Sequence, residues 1–366
     1  MNNEKKRGGE FSLSELRTLY KKYGFSRYKM SKFEEYDLYV RNKSFLISDN
    51  IITFTDTDGK LMALKPDVTL SIVKNNRGGE QKVYYDESVY RISNHTYREI
   101  RQIGLERIGD IDTYAIYETL LLAVKSLELI SDDFVLDVSH MGIVSAIMDE
   151  AGIPESARRD VIKYIGEKNS HGIREVCRGL GADGSGEDVL CRLATTYGEF
   201  FEVLEWLKSV VKGENGKKAL EQLLTVFKLL GSDSEKVRID FSVVNDMSYY
   251  NGFVFKGFVN GVPSGVLSGG QYDKLMERMG KKAGAIGFAV YPDQLEELMT
   301  ARPEYDVDTV VLYDGESDLC RLKDTVNGIA DKGESVLVVK NVPEKLRYKR
   351  LMRFEGKEVK TLEDNA

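Results

Sequence analysis

Apolar side chains along the chain follow two periods, and the switches between them divide it. Near the start, Leu13, Leu16, Leu19 or Tyr20, and Tyr23 recur at helical spacing. Ser12, with Glu15 three residues on, forms a capping box ahead of that stripe, and Gly24 stops it. Residues 51–55 and 61–64 alternate like strands around a turn at 56–59. A short helix is predicted after Pro66, through Leu70, Ile72 and Val73. Residues 83–92 and 100–108 are predicted as strands joined by a polar loop, and Asp112 caps a long helix to about Leu129.

From about residue 139 to 236 the helical period takes over, with glycine-rich breaks at 179–186 and 213–216. Strand character returns at 237–244 and 249–259, where Asn260-Gly261 marks a turn, and again at 286–290. Pro292 suits the first position of a helix. Beyond Arg302 a strand (309–313), a helix (318–331) and a strand (335–340) make a separate unit. Strands separated by turns, with helices in blocks, predict an α+β class: an antiparallel sheet flanked by helices. The expected organisation is a core of residues 1–302 with a helical insertion at about 139–236, then a small α/β unit of residues 303–366.

Charge narrows the partners. The 52 Lys and Arg against 59 Asp and Glu give −7 overall, whereas polyanion binders carry basic faces. That argues against tRNA. No apolar run is long enough to span a bilayer and no apolar signal core follows Met1, so a soluble cytoplasmic protein is expected. Cys177, Cys191 and Cys320 give neither a disulfide framework nor a zinc spacing. His95, His140 and His171 show no ligand spacing, and each reads as a surface or satisfied core side chain. No metal and no cofactor are expected. The basic stretch 345–353 reads as a solvated helix face.

In a strand over 100–109, Gln102, Gly104 and Glu106 share one face. An amide, a carboxylate and a gap without a side chain suit a small cationic group, although from this segment alone the solvated face of an amphipathic strand is the better reading. Ser268-Gly-Gly-Gln-Tyr-Asp273 places two glycines between a strand and a helix, where backbone can approach a ligand closely. Tyr249 and Tyr250, adjacent in a predicted strand, face opposite sides.

Six segments, in order, resemble the histidyl-tRNA synthetase family. They are Leu64-Lys-Pro-Asp67-Val-Thr69; Arg91 on a strand before a loop; and Gln102-Ile-Gly-Leu-Glu106 on the return strand. Asn245-Asp-Met-Ser-Tyr249-Tyr250-Asn-Gly-Phe-Val-Phe255, Ser268-Gly-Gly-Gln271-Tyr-Asp273 and Ala285-Ile-Gly-Phe-Ala-Val-Tyr-Pro-Asp-Gln294-Leu complete the set. The resemblance runs from about Phe11 to Met299 and implies a class II synthetase-like core. It also implies that the region 25–35 serves a homodimer, although the family's proline is replaced near Ser31.

The departures from the family pattern carry functional weight. The arginines it uses on ATP and on the adenylate stand here as Gln294 and Asn245, and the arginine of its second histidine motif stands as Gln271. Ser93 replaces the motif 2 glutamate, and the loop 93–99 is shortened. Losing two charged hydrogen bonds from a transition state slows it roughly 10²- to 10⁴-fold. By position, the residues that the family uses to hold histidine mostly remain: Asp67 (an acid still, though shorter than the family's glutamate), Thr69, Gln102, Glu106, Tyr249 and Tyr250. Arg91, Asn245, Gln271 and Gln294 would mark a vestigial nucleotide pocket, with no catalytic residue. This combination looks like the regulatory subunits of ATP phosphoribosyltransferase, non-catalytic paralogues of the synthetase. The resemblance implies a short-form catalytic subunit as partner, a homodimer within a hetero-oligomer, and histidine as ligand. A divergent synthetase and a stand-alone histidine-binding paralogue are the alternatives.

Overall fold

A nine-stranded sheet organises the larger part of the chain in the computed structural model, which describes residues 12–41, 51–76, 78–93, 96–181, 184–243, 250–295, 305–315, 317–355 and 358–365. The chain divides into two compact units, Met1–Glu296 and Glu297–Ala366. Sheet order in the first unit is β1 (Ser26–Arg27), β5 (Gln81–Ser93), β6 (Thr96–Gly109), β12 (Gly284–Val290), β11 (Leu267–Gln271), β10 (Phe253–Val259), β7 (Phe134–His140), β9 (Val237–Asp240) and β8 (Tyr197–Gly198). From β5 to β7 every pairing is antiparallel, while β1–β5 and β7–β9 are parallel. The α+β class with an antiparallel-rich sheet is thus observed.

One face of the sheet is apolar and covered by α4 (Thr113–Ile130), which Asp112 caps by accepting from the Ala115 N–H at 2.7 Å. Ile103 and Leu105 of β6 join Leu120, Val124 and Leu127 of α4 in one core. Helix α1 (Leu13–Lys22) lies against α4, and the capping box of Ser12 and Glu15 forms as the sequence indicates. Tyr20, fully buried, shares a hydrogen bond of 3.0 Å with the Ser126 hydroxyl of α4.

Six helices make the insertion: α5 (Met141–Glu150), α6 (Glu155–Gly166), α7 (Ser170–Leu180), α8 (Gly184–Thr195), α9 (Phe200–Val210) and α10 (Gly213–Leu230). The glycines at 213–216 were expected to break a helix, but they form the first turn of α10. A Cβ at Gly216 would come within 2.8 Å of Ala146 on α5, so the glycine permits close packing of the two helices. His140 is a satisfied core residue: its ring accepts from the Gly142 N–H and meets the Gln222 side chain.

A second sheet pairs β2 (Phe33–Glu35), β4 (Leu61–Leu64) and β3 (Thr53–Thr55), with α2 (Tyr36–Arg41) between β2 and β3 in the chain. It leads into α3 (Val68–Asn75), the helix expected after Pro66. The second unit carries β14 (Val336–Val339), β13 (Val307–Leu312), β15 (Tyr348–Glu355) and β16 (Glu358–Asp364) in that sheet order, with α11 (Leu319–Ala330) capped by Asp318.

Three boundaries differ from the sequence reading. Strands β5 and β6 continue through the predicted polar loop, pairing Tyr90 with Glu99 and Ser93 with Thr96, because cross-strand pairing outweighs the polarity of those side chains. The strand expected at 237–244 ends at Asp240, and the one expected from Tyr249 begins at Phe253. The basic stretch is a strand, not a helix face: Leu351 and Phe354 are buried, while Arg347 pairs with Asp306 and Arg350 with Glu334.

Candidate functional site

Alternation along β6 sends Ile103 and Leu105 to the α4 side and leaves Gln102, Gly104 and Glu106 on the other face. There a cavity of about 740 Å³ lies over the centre of the sheet, within the size range of small-molecule sites. Asp67 and Thr69 reach it from the start of α3, Gln102 and Glu106 from β6, Arg91 from β5, and Tyr250 from just before β10.

Glu106 is the most confined of these groups, only 2% exposed. Its Oε1 accepts from the Thr69 hydroxyl at 3.0 Å and its Oε2 from the Tyr272 hydroxyl at 2.6 Å. Directly across the strand pair stands Gly287, where a Cβ would fall 1.8 Å from Oε2, so the carboxyl group occupies the space that a side chain would need. Burial raises its pKa to about 8; the two hydroxyls pull it back and nearby Asp67 adds to the rise. A ligand cation there restores what burial removes, by favouring the charged carboxylate.

Asp67 serves two purposes. It is the N-cap of α3, accepting from the Leu70 N–H at 2.8 Å, and it lines the cavity. Burial is the largest influence on its pKa and raises it. Arg91 also lines the cavity, with its Nε donating to the Pro66 carbonyl at 3.1 Å. Gln294 lines the rim and accepts from the Ser264 hydroxyl. Tyr250 packs over Gly270, where a Cβ would lie 2.6 Å from its ring. Asn245 and Tyr249 lie outside the described residues, as does the side chain of Ser93.

Two expectations need correction. The gap at Gly104 is not open to a ligand: Tyr85, paired with Gly104 across β5–β6, puts its hydroxyl 2.5 Å from where a Cβ would stand. Gln271 does not line the cavity; it donates to Asp273 at 2.7 Å and its side chain lies against Gly252. That bond and the glycine's missing side chain hold it away from the ligand space.

Sequence reasoning also missed Tyr85, Tyr272 and Tyr291, which line the cavity, and Asp137 and Asp240 at its insertion side. Nothing local marks Tyr85, whose place opposite Gly104 is set by the register of β5 on β6. Nothing in the sequence marks Asp137, which sits mid-strand among apolar neighbours. Asp67, Glu106, Asp137 and Asp240 face the cavity against Arg91 and Lys256, so its described lining is net acidic.

Residues 4–295 match the model of the family described as histidyl-tRNA synthetase. A relative from Desulfitobacterium hafniense, named ATP phosphoribosyltransferase regulatory subunit, is 32% identical over 272 residues, 70% of each chain. The crystal structure of an ATP phosphoribosyltransferase regulatory subunit/histidyl-tRNA synthetase from Bacillus halodurans superposes with a TM-score of 0.74. That alignment covers 93% of this chain and 92% of the other at 24% identity. A chain of the ATP phosphoribosyl transferase (HisG:HisZ) complex from Thermotoga maritima aligns with a TM-score of 0.61 and 20% identity. It covers 76% of this chain and 95% of that one. Both structures share the fold described above.

Proposed function

The chain belongs to the histidyl-tRNA synthetase family, and on that premise we propose that it is a non-catalytic regulatory subunit of ATP phosphoribosyltransferase that binds histidine in the cavity over β6. Relatives that carry the regulatory name support the first part. The observation that carries the second is Glu106, a buried carboxyl held by Thr69 and Tyr272 in a net acidic cavity. Such a group suits the ammonium of an amino acid and opposes a triphosphate. Gln102 and Asp67 complete the ammonium side, and tyrosine hydroxyls suit an imidazole nitrogen. Asp67, Thr69, Gln102, Glu106, Tyr249 and Tyr250 are the proposed histidine residues.

The nucleotide end supports the same reading. Arg91 is the single arginine among the described lining residues. Asn245 and Gln294 stand where the family pattern has arginines, and Gln271 is turned away to Asp273. In this role the chain forms a homodimer within a hetero-oligomer with the short-form catalytic subunit. Histidine shifts the activity of that assembly only by binding one of its states more tightly than another.

Calorimetry with histidine tests the ligand. Glu106→Ala should cost about 1.5–3 kcal/mol of binding, the worth of a charge-assisted hydrogen bond, and Gln294→Ala much less. No binding by the unmodified chain, or equal losses in both variants, would mean that the cavity is a relic.

A further inference from the structure

At the insertion side of the same cavity lies a second acidic feature that the histidine reading leaves unused. Asp137, on β7, is 7% exposed and lines the cavity, yet its Oδ1 has no hydrogen-bond partner. A buried carboxylate oxygen left without a donor is costly, and such atoms are rare in folded proteins. Three cations lie close enough to feel Asp137, and all are engaged elsewhere. Lys256 stands directly opposite it on β10, but its ammonium sits 5.3 Å over the Phe258 ring and its stem lies on Gly265. Lys168, from the insertion, donates to Asp240 at 2.9 Å. Arg238, its register partner on β9, turns to the Glu235 and Val237 carbonyls and to Glu199.

Asp240 is the second wall. It is 4% exposed, lines the cavity, and accepts from Lys168 and from the Ser242 N–H at 2.8 Å. Asp137 pairs with Arg238, so Asp240 lies two residues further along the neighbouring strand, on the same face of the sheet. Burial and the neighbouring Asp240 raise the Asp137 pKa to about 6. The pair therefore presents a bare, buried acceptor beside a second carboxylate, in a cavity with room beyond an amino acid at Glu106.

We propose that Asp137 and Asp240 form a second subsite of this cavity, which takes a small-molecule cation bearing several N–H donors, of the guanidinium or ammonium class. The Asp137 carboxylate accepts one N–H and the cation's charge balances the carboxylate pair. The proposal concerns the same cavity as the histidine reading but not the same residues, so the two fail separately.

The test titrates the full chain with methylguanidinium and with its neutral counterpart methylurea, followed by protein-observed NMR. The unmodified chain should bind methylguanidinium and not methylurea, with perturbations at Asp137 and Asp240. Asp137→Asn should weaken that binding by about tenfold or more, while Glu106→Gln leaves it unchanged. Histidine binding should show the reverse pattern, lost with Glu106→Gln and kept with Asp137→Asn. Equal binding of the two probes, or methylguanidinium binding that depends on Glu106 rather than Asp137, would overturn the proposal. Should Asp137→Asn fail to fold, the discrimination between the two probes by the unmodified chain and by Glu106→Gln decides the matter alone.

Discussion

Tyr85 and Gly104 face each other across β5 and β6, and the tyrosine hydroxyl fills the space that the glycine leaves. Tyr85 forms part of the cavity lining with Glu106, and burial holds its hydroxyl far above its usual titration range. A Cβ at 104 would also fall 2.1 Å from the Phe288 carbonyl oxygen, which is backbone and cannot step aside cheaply. Gly104→Ala should therefore cost about 1–3 kcal/mol of stability, as overpacking does, and displace Tyr85 from the lining. Denaturant unfolding together with histidine calorimetry checks both effects.

The pH dependence of stability should carry the mark of Glu106. Its pKa is raised from 4.5 to about 8, so between those values the folded chain keeps a proton that the unfolded chain releases. The contribution is fully present below about pH 4 and is lost as pH rises through about 8. Glu106→Gln should remove that slope, up to about 1.4 kcal/mol per pH unit inside the window. Unfolding curves of both chains at a series of pH values measure it. Histidine binding should run the other way: an ammonium beside Glu106 expels the proton, so affinity rises from pH 6 to 8.

A homodimer is expected through the small sheet of β2, β4 and β3. Phe33 and Leu61 are 48% and 49% exposed there, and the Phe33 ring meets Phe54 edge-on at 5.4 Å. Replacing Phe33 and Phe54 together by Asp should yield a folded monomer in sedimentation at micromolar concentration. A dimer that survives would place the interface elsewhere.

Much of this architecture is readable from local chemistry. Ser12 with Glu15, and Asp112, each announce a helix start that forms, because a capping side chain satisfies N–H groups whatever surrounds it. Alternation placed Gln102 and Glu106 on one face, and they do line one cavity. What local chemistry does not encode is pairing between distant strands. Polar residues 96–99 read as a loop because their partners 90–93 are needed to make them a strand. The Gly104 gap reads as open because Tyr85 fills it from the neighbouring strand, nineteen positions earlier in the chain. Gln271 reads as a pocket residue because its tether to Asp273 forms only in the folded chain.

Adenylation should be absent. With Asn245 and Gln294 in place of arginines and Gln271 held by Asp273, the purified chain should catalyse no histidine-dependent pyrophosphate exchange. Exchange at ordinary synthetase rates would restore the enzyme reading.

Regulation itself is tested most directly by phosphoribosyltransferase assay of the short-form catalytic subunit, reconstituted with this chain. The account predicts that the chain raises the partner's activity, that histidine lowers the activity of the assembly, and that Glu106→Gln keeps the activation while losing the response to histidine. An assembly with Glu106→Gln that histidine inhibits as strongly as the unmodified one, or a catalytic subunit indifferent to this chain, would contradict it.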